Sequence, residues 1–224
     1  MRILLFGATG MVGQGVLREC LQARDVEFIQ AVGRTRIPQR ARNLREVILP
    51  DLFDIAAIED ELRNFDACFF CLGVPSAGKS EPTYARMTFD LTLGVAQTLV
   101  RLNSQMTFVY VSGAGTDSTE RGRWMWARVK GRTENALLQL PFKAVYLLRP
   151  GIIQPLYGAR SKVTSYRIIY RLATPLFPLL RSAFPNWILT TETVGLAMLG
   201  VARRGAAKSI LEASDISEIA AAGR

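Results

Sequence analysis

Histidine is absent from all 224 residues. That gap removes Ser-His-Asp and Cys-His nucleophile machinery and most zinc sites together, so no metal centre is expected. Cysteine is scarce as well. There are three, an odd number, which argues against a disulfide framework and for a reducing compartment, with a cytoplasmic location as the expectation. Cys68 and Cys71 form a CxxC within DACFFCLG, but that stretch reads as a strand. Residues three apart on a strand point to opposite faces, so both read as core cysteines and not as a redox or metal pair. No apolar run reaches the roughly 18 residues of a membrane-spanning helix. The first strand begins at residue 3, which leaves no room for a charged leader and cleavage site, so no secretory signal is expected.

What is present is apolar and basic. With 49% hydrophobic and 21% charged residues, the chain can bury a sizeable core, and one domain over 1–224 is the simplest organisation. A net charge of +9 and a pI near 9.9 fit nucleic acid, an anionic surface, or a phosphate-rich cofactor beside a solvated surface. No nucleic-acid recognition module is present and the basic residues are spread through loops, so no nucleic-acid partner is expected.

The organising stretch is ILLFGATGMVGQGV, residues 3–16. Four apolar residues bounded by Arg2 and Gly7 read as a short buried strand. The small-residue run then passes into a helical pattern through Leu17, Cys20 and Leu21. Gly7, Gly10 and Gly13 fall at GxxGxxG spacing, where each missing Cβ has a use: a tight turn, backbone N–H groups close to a pyrophosphate, and helix packed on strand. The helix N-terminus faces the phosphates with its partial positive charge, so Gly7, Thr9, Gly10, Met11, Val12 and Gly13 are expected to bind a dinucleotide.

A second strand, VEFIQAV (26–32), ends in Gly33-Arg34-Thr35-Arg36. An NAD-binding chain carries an acid here, about 20 residues beyond the glycines, to take the ribose 2′-hydroxyl. A guanidinium there pairs bidentately with a 2′-phosphate, so Arg34, with Arg36 assisting, points to NADP(H). EVIL (46–49) is a third strand, and Asp51 and Leu52 follow where adenine would lie. Ile55 to Leu62 reads as a short amphipathic helix and 66–72 as a central fourth strand. A long helix over 80–102 starts from Ser80 as N-cap. Thr107 to Val111 and Ala144 to Leu148 are further strands, with a helix over 124–138 between them. Thr190 or Thr191 caps a helix over 192–202, and 209–211 adds an edge strand. Strands alternating with helices predict an α/β fold, a doubly wound parallel sheet of Rossmann type.

Residues 73–80, GVPSAGKS, match GxxxxGK[ST] after a strand and before a helix, the context of a phosphate-binding P-loop. Pro75 removes one of the N–H groups that would cradle phosphate, and no later strand ends in an aspartate that would hold magnesium. A flexible loop beside the cofactor is the preferred reading, with nucleotide hydrolysis as an alternative.

GATGMVG, the VGR after the second strand, the CLG at 71–73, FDLTLGV on the long helix, Ser112, the lysine at 130 and LRPG at 148–151 together resemble the atypical short-chain dehydrogenase/reductases. The nearest resemblance is to the Tat-interacting-protein branch and its epimerase/dehydratase relatives, over about the first 155 residues and more weakly over TETVGLAML. The resemblance implies that Cys71, Leu72 and Gly73 run along the cofactor and that Pro150, Gly151 and Ile152 pass on its nicotinamide side. It implies a serine that orients a substrate carbonyl, a tyrosine that moves a proton, and a lysine on the nicotinamide ribose. It also implies a homodimer through the long helices that follow strands four and five. Ser112 and Lys130 match; the tyrosine position holds Trp126. Indole N–H only donates and does not titrate near neutral pH, so it cannot act as general acid or base. Two readings therefore stand: an NADP-dependent oxidoreductase or epimerase-like enzyme with an atypical site acting on a small molecule, and an NADP-binding sensor that turns nothing over. Residues 152–190 read as a cover over the substrate cleft. Within them, the basic and aromatic stretch 157–189 also suits peripheral contact with a membrane.

Overall fold

The computed structural model describes residues 1–160 and 187–223. Most of the stretch read as a cleft cover, residues 161–186, lies outside them, and with it the membrane-contact expectation. In chain order the described elements are β1 (Arg2–Phe6), α1 (Met11–Gln22), β2 (Phe28–Gly33), β3 (Leu44–Ile48), a 3-10 segment (Ile55–Leu62) and β4 (Ala67–Phe70). There follow α2 (Glu81–Ala85), a π-helical turn (Arg86–Asp90), α3 (Leu91–Leu102), β5 (Thr107–Val111), α4 (Met125–Leu138), β6 (Ala144–Arg149) and β7 (Ile152–Gln154). After the gap come β8 (Ile188–Thr190), α5 (Thr191–Arg204), β9 (Ile210–Glu212) and α6 (Ala213–Ala221).

The main sheet has seven parallel strands in the order β3-β2-β1-β4-β5-β6-β9. This is the doubly wound α/β fold predicted from the strand and helix alternation. The order reverses direction between β1 and β4, which opens a crevice at their carboxyl ends, where ligands of such sheets bind. Its apolar strands are buried on both faces, as parallel strands under helices must be. Ile3 and Leu5 of β1 face one side, with α1, α5 and α6, while Leu4 and Phe6 face the other, with α3 and the 3-10 segment. On that second face Phe6, Phe70 and Phe108 lie in a row, with ring centroids 5.5 and 5.9 Å apart. Cys68 and Cys71 do separate, Cys68 into this face and Cys71 against the other, where its Sγ lies 3.9 Å from Met198 Sδ. Cys71 is only half-buried, because it stands just beyond the end of β4.

The long helix runs from Glu81 to Leu102 as read, widened by the π-helical turn, but Ser80 does not cap it: its hydroxyl pairs with Thr83 Oγ1 at 2.9 Å and with no backbone N–H among the described residues. Thr190 does cap α5, accepting Thr193 N–H at 2.9 Å. β7 and β8 form a separate parallel pair, joining Gly151 and Trp187 at their start.

Helices α1 and α5 pack through glycine. A Cβ on Gly15 would lie 2.5 Å from Thr191 Cβ, and one on Gly195 would lie 2.7 Å from Glu19 Cγ. Overpacking of this kind costs about 1–3 kcal/mol. Gly15→Ala is therefore expected to lower the urea midpoint at unchanged m; a parental midpoint would show that the two helices stand further apart.

Candidate functional site

The floor of the crevice is backbone. Gly7 leaves β1 at φ +84°, and a Cβ there would lie 2.8 Å from the Cys71 carbonyl oxygen and 2.9 Å from Leu72 N. A Cβ on Gly13 would fall 2.1 Å from Gly7 O, so helix, turn and the exit of β4 meet where no side chain fits. Gly10 N–H closes the turn onto Gly7 O at 2.9 Å, and the helical ladder begins with Gln14 N–H on Gly10 O. The N–H groups of Met11, Val12 and Gly13 precede that first bond, and no side chain among the described residues caps them. They face a cleft of about 790 Å³ that runs from the end of β2 to α4. The missing Cβ atoms and free amides form the cradle a pyrophosphate requires, so the glycine turn fits a dinucleotide.

At one end of the cleft Arg34 is exposed and has no carboxylate within ion-pair distance among the described residues. Glu46 also lines this end, but its carboxylate accepts Ile37 N–H and lies 3.5 Å from Arg40, so it holds the loop after β2 in place. At the other end stand Ser112, at the exit of β5, and Lys130, one turn into the inward face of α4. The Thr116 hydroxyl donates to Gly113 O at 2.7 Å, which leaves Ser112 to donate to Thr116 Oγ1 at 3.1 Å. Lys130 Nζ sits 5.4 Å above the Tyr110 ring. Burial pushes its amine down to about 8, while Glu134, one helical turn on, holds it from falling further.

A buried ion pair secures that end. Glu134 is fully buried and takes the Arg149 guanidinium through Nε and Nη2, and Arg149 also reaches Ser118 Oγ at 2.6 Å and Glu212 at 3.3 Å. The Arg149 side chain of LRPG thus ties β6 to α4 and to the start of α6. Gly131, beside Lys130, permits the loop after β5 to lie on the helix, since a Cβ there would be 1.8 Å from Asp117 O.

No family model matches the chain. Leucinostatins biosynthesis cluster protein T of Purpureocillium lilacinum is 32% identical over 145 residues, 62% of this chain; the chain spans about half, 52%, of that relative's length. Protein FMP52, mitochondrial, of Saccharomyces cerevisiae is 30% identical over 164 residues, covering 72% of this chain and 68% of the yeast protein. The chain belongs to the FMP52 family. Among solved structures, UDP-glucuronic acid 4-epimerase of Bacillus cereus, in complex with UDP-glucuronic acid and NAD, superposes with a TM-score of 0.66 at 12% identity, over 95% of this chain and 77% of that one. The fold is the Rossmann-like α/β fold that such structures share. The cytoplasmic expectation is overturned, because FMP52 proteins are named as mitochondrial. Cysteine usage separates oxidising from reducing compartments and carries no finer address.

In this FMP52-family chain the cleft brings together Gly7, Thr9, Gly10, Met11, Val12, Arg34, Leu52, Cys71, Leu72, Gly73, Ser112, Lys130, Pro150 and Gly151. Gly13 lies beneath it as the packing glycine. Arg36, Asp51, Ile152 and Trp126 are not in its lining. Ile152 points outward, half exposed, and Ile153 lines the cleft instead, because alternate residues of β7 face opposite ways. The Asp51 carboxylate turns back to accept Phe53 N–H at 3.0 Å. Trp126 lies over Gly115, its ring 3.4 Å from where a Cβ would be. Among the described residues no tyrosine lines the cleft to stand in for it: Tyr84 and Tyr110 are buried, and Tyr157 donates to Glu192 at 3.0 Å. Beyond Gly73 the P-loop match does not reach the cleft; Lys79 N–H closes a local turn on Ser76 O, and α2 starts only at Glu81. Glu46 and Ile153 were missed, and only the parallel pairing of β3 and the alternation of β7 would have pointed to them.

Arg149→Met would leave Glu134 buried and unpaired, and is expected to cost about 3–5 kcal/mol in urea unfolding, most of it recovered by adding Glu134→Leu; a loss under about 1 kcal/mol would show that the pair holds nothing together. Lys130 titrates near 8 when folded and near 10.5 ordinarily. Between those values the unfolded chain holds more protons, so this group makes stability rise with pH. The stability of the parent relative to Lys130→Met is expected to climb from pH 8 to 10.5; a flat difference across urea midpoints would place the amine in water.

Proposed function

We propose that the chain binds a nicotinamide dinucleotide in this cleft, NADP(H) in preference to NAD(H), and acts as an oxidoreductase or epimerase-like enzyme on a small carbonyl or hydroxyl compound. The observation that carries the reading is one continuous cleft. It holds the side-chain-free glycine turn at its centre, a guanidinium at the ribose end and a serine–lysine pair at the opposite end. The solved structure of the epimerase with the same fold is a complex with NAD.

Met11 and Val12 N–H groups would hold the pyrophosphate, and Arg34 a 2′-phosphate, to which a guanidinium is matched bidentately. Lys130 would hold the nicotinamide ribose. A bound nicotinamide supplies or accepts hydride at its C4. Ser112 would turn its hydroxyl from Thr116 to a substrate oxygen. The usual tyrosine is replaced by Trp126, which lies outside the cleft, so Lys130 is the group there that holds a proton it can release near neutral pH. Trp126 also supports a second reading, a dinucleotide-binding sensor without turnover. We also propose that two copies of the chain pair through α3 and α4, as the resemblance implies.

Calorimetric titration with NADPH, NADH and ATP tests the cofactor. NADPH is expected to bind, and Arg34→Ala to weaken it about tenfold or more, with NADH changed less than about twofold. Binding of ATP alone, or of nothing, would sink the reading. Oxidation of NADPH by some member of a panel of aldehydes and ketones, lost in Ser112→Ala, favours the enzyme; tight binding with no oxidation favours the sensor.

A further inference from the structure

Past β7 the chain turns back over the first turn of α1. Leu156 N–H donates to Thr191 Oγ1 at 3.1 Å and Ala159 N–H to Leu156 O at 3.0 Å. Tyr157 and Gly158 both take positive φ, +53° and +79°, a conformation a tyrosine adopts only when its surroundings impose it. They do: the Tyr157 hydroxyl donates to Glu192 at 3.0 Å, and the Arg18 guanidinium lies 3.5 Å above its ring. The turn delivers Arg160 to Gln14. The Gln14 amide donates from Nε2 to Arg160 O at 3.0 Å and accepts Arg160 N–H at Oε1 at 3.2 Å, the double bond pattern one strand offers another. The same Nε2 reaches Thr9 O, inside the glycine turn, at 3.1 Å. The Arg160 main chain is thus fixed beside the first turn of α1, with its side chain exposed there.

Among the described residues, the cations that line the cleft are Arg34 at one end and Lys130 at the other, while the stretch between them, 7–12 and 71–73, carries no charged side chain. A pyrophosphate brings two negative charges to that stretch, and a helix terminus offers only about +0.5. Arg18 is committed to Glu19 at 2.5 Å and to the Tyr157 ring. The Arg160 side chain is exposed and has no carboxylate within ion-pair distance among the described residues.

We propose that Arg160, positioned by Gln14, is the cation that meets the pyrophosphate of the bound dinucleotide. The assignment rests on the dinucleotide reading above and adds to it a residue outside the glycine turn, contributed by the chain beyond β7. It also makes Gln14 a positioning residue, one that links the glycine turn to the segment crossing it.

Equilibrium dissociation constants for NADPH, NADH and adenosine 2′-phosphate test it, since the last carries the 2′-phosphate without a pyrophosphate. Arg160→Ala is expected to weaken both dinucleotides about tenfold at low salt, with the difference shrinking as salt is raised. Adenosine 2′-phosphate should bind it as it binds the parent. Arg160→Lys should recover most of the loss, and Gln14→Leu should weaken both dinucleotides in the same direction with Arg160 intact. An unchanged thermal midpoint for free Arg160→Ala confirms that the fold is not the cause. Parental affinity of Arg160→Ala for both dinucleotides overturns the assignment, as does an equal loss for adenosine 2′-phosphate. A parent that binds no dinucleotide overturns the cofactor reading itself, and the assignment with it.

Discussion

The molecule depends on a place where three stretches of backbone touch. At Gly7 the exit of β1, the exit of β4 and the first turn of α1 come within contact, and a Cβ on Gly7 or Gly13 would overlap a carbonyl. Close packing leaves no slack to absorb such an atom. The same absence of side chains exposes the first N–H groups of α1, so the requirement that lets helix and sheet join also creates the anion-binding floor. Packing and function share one solution here, and the reversal of strand order between β1 and β4 puts it at the mouth of a crevice.

The far end of the cleft is held by charge. Lys130 is carried on α4 in a spot where its amine is partly stripped of water, and that position is kept by Glu134 and Arg149, which join α4 to β6 and, through Glu212, to α6. Burying such a pair is costly unless every donor finds an acceptor, and Arg149 spends its remaining N–H groups on Ser118 and Glu212. The net charge of +9 is therefore not one undivided basic surface. Arg40, Arg45 and Arg101 are spent on Glu46, Glu61 and Glu59, whereas Arg34 faces the cleft with no carboxylate partner among the described residues.

Membership of the FMP52 family and the epimerase fold speak to different levels. Sheet alternation and the glycine approach are demanded by packing, so they survive at 12% identity. The reaction lives in side chains that the fold does not demand. Trp126 illustrates the difference: α4 tolerates an indole at a position where the superfamily resemblance implies a tyrosine, because there it packs on Gly115 and leaves the helix intact.

The sequence alone determined the parallel sheet, the glycine turn and the span of β5. These follow from local rules: apolar runs buried on both faces, glycine spacing, and helix patterns between strands. Only the tertiary structure decided what depends on direction and distance between remote residues. It turned Ile153 inward and Ile152 outward, brought Glu46 into the cleft wall, removed Tyr84, Tyr110 and Tyr157 from contention, paired β7 with β8 across more than thirty intervening residues, and set Gln14 against Arg160. Strands of three residues carry no readable period, and a hydrogen bond between residues 146 apart leaves no trace in local pattern, because it exists only once folding has brought the two residues together.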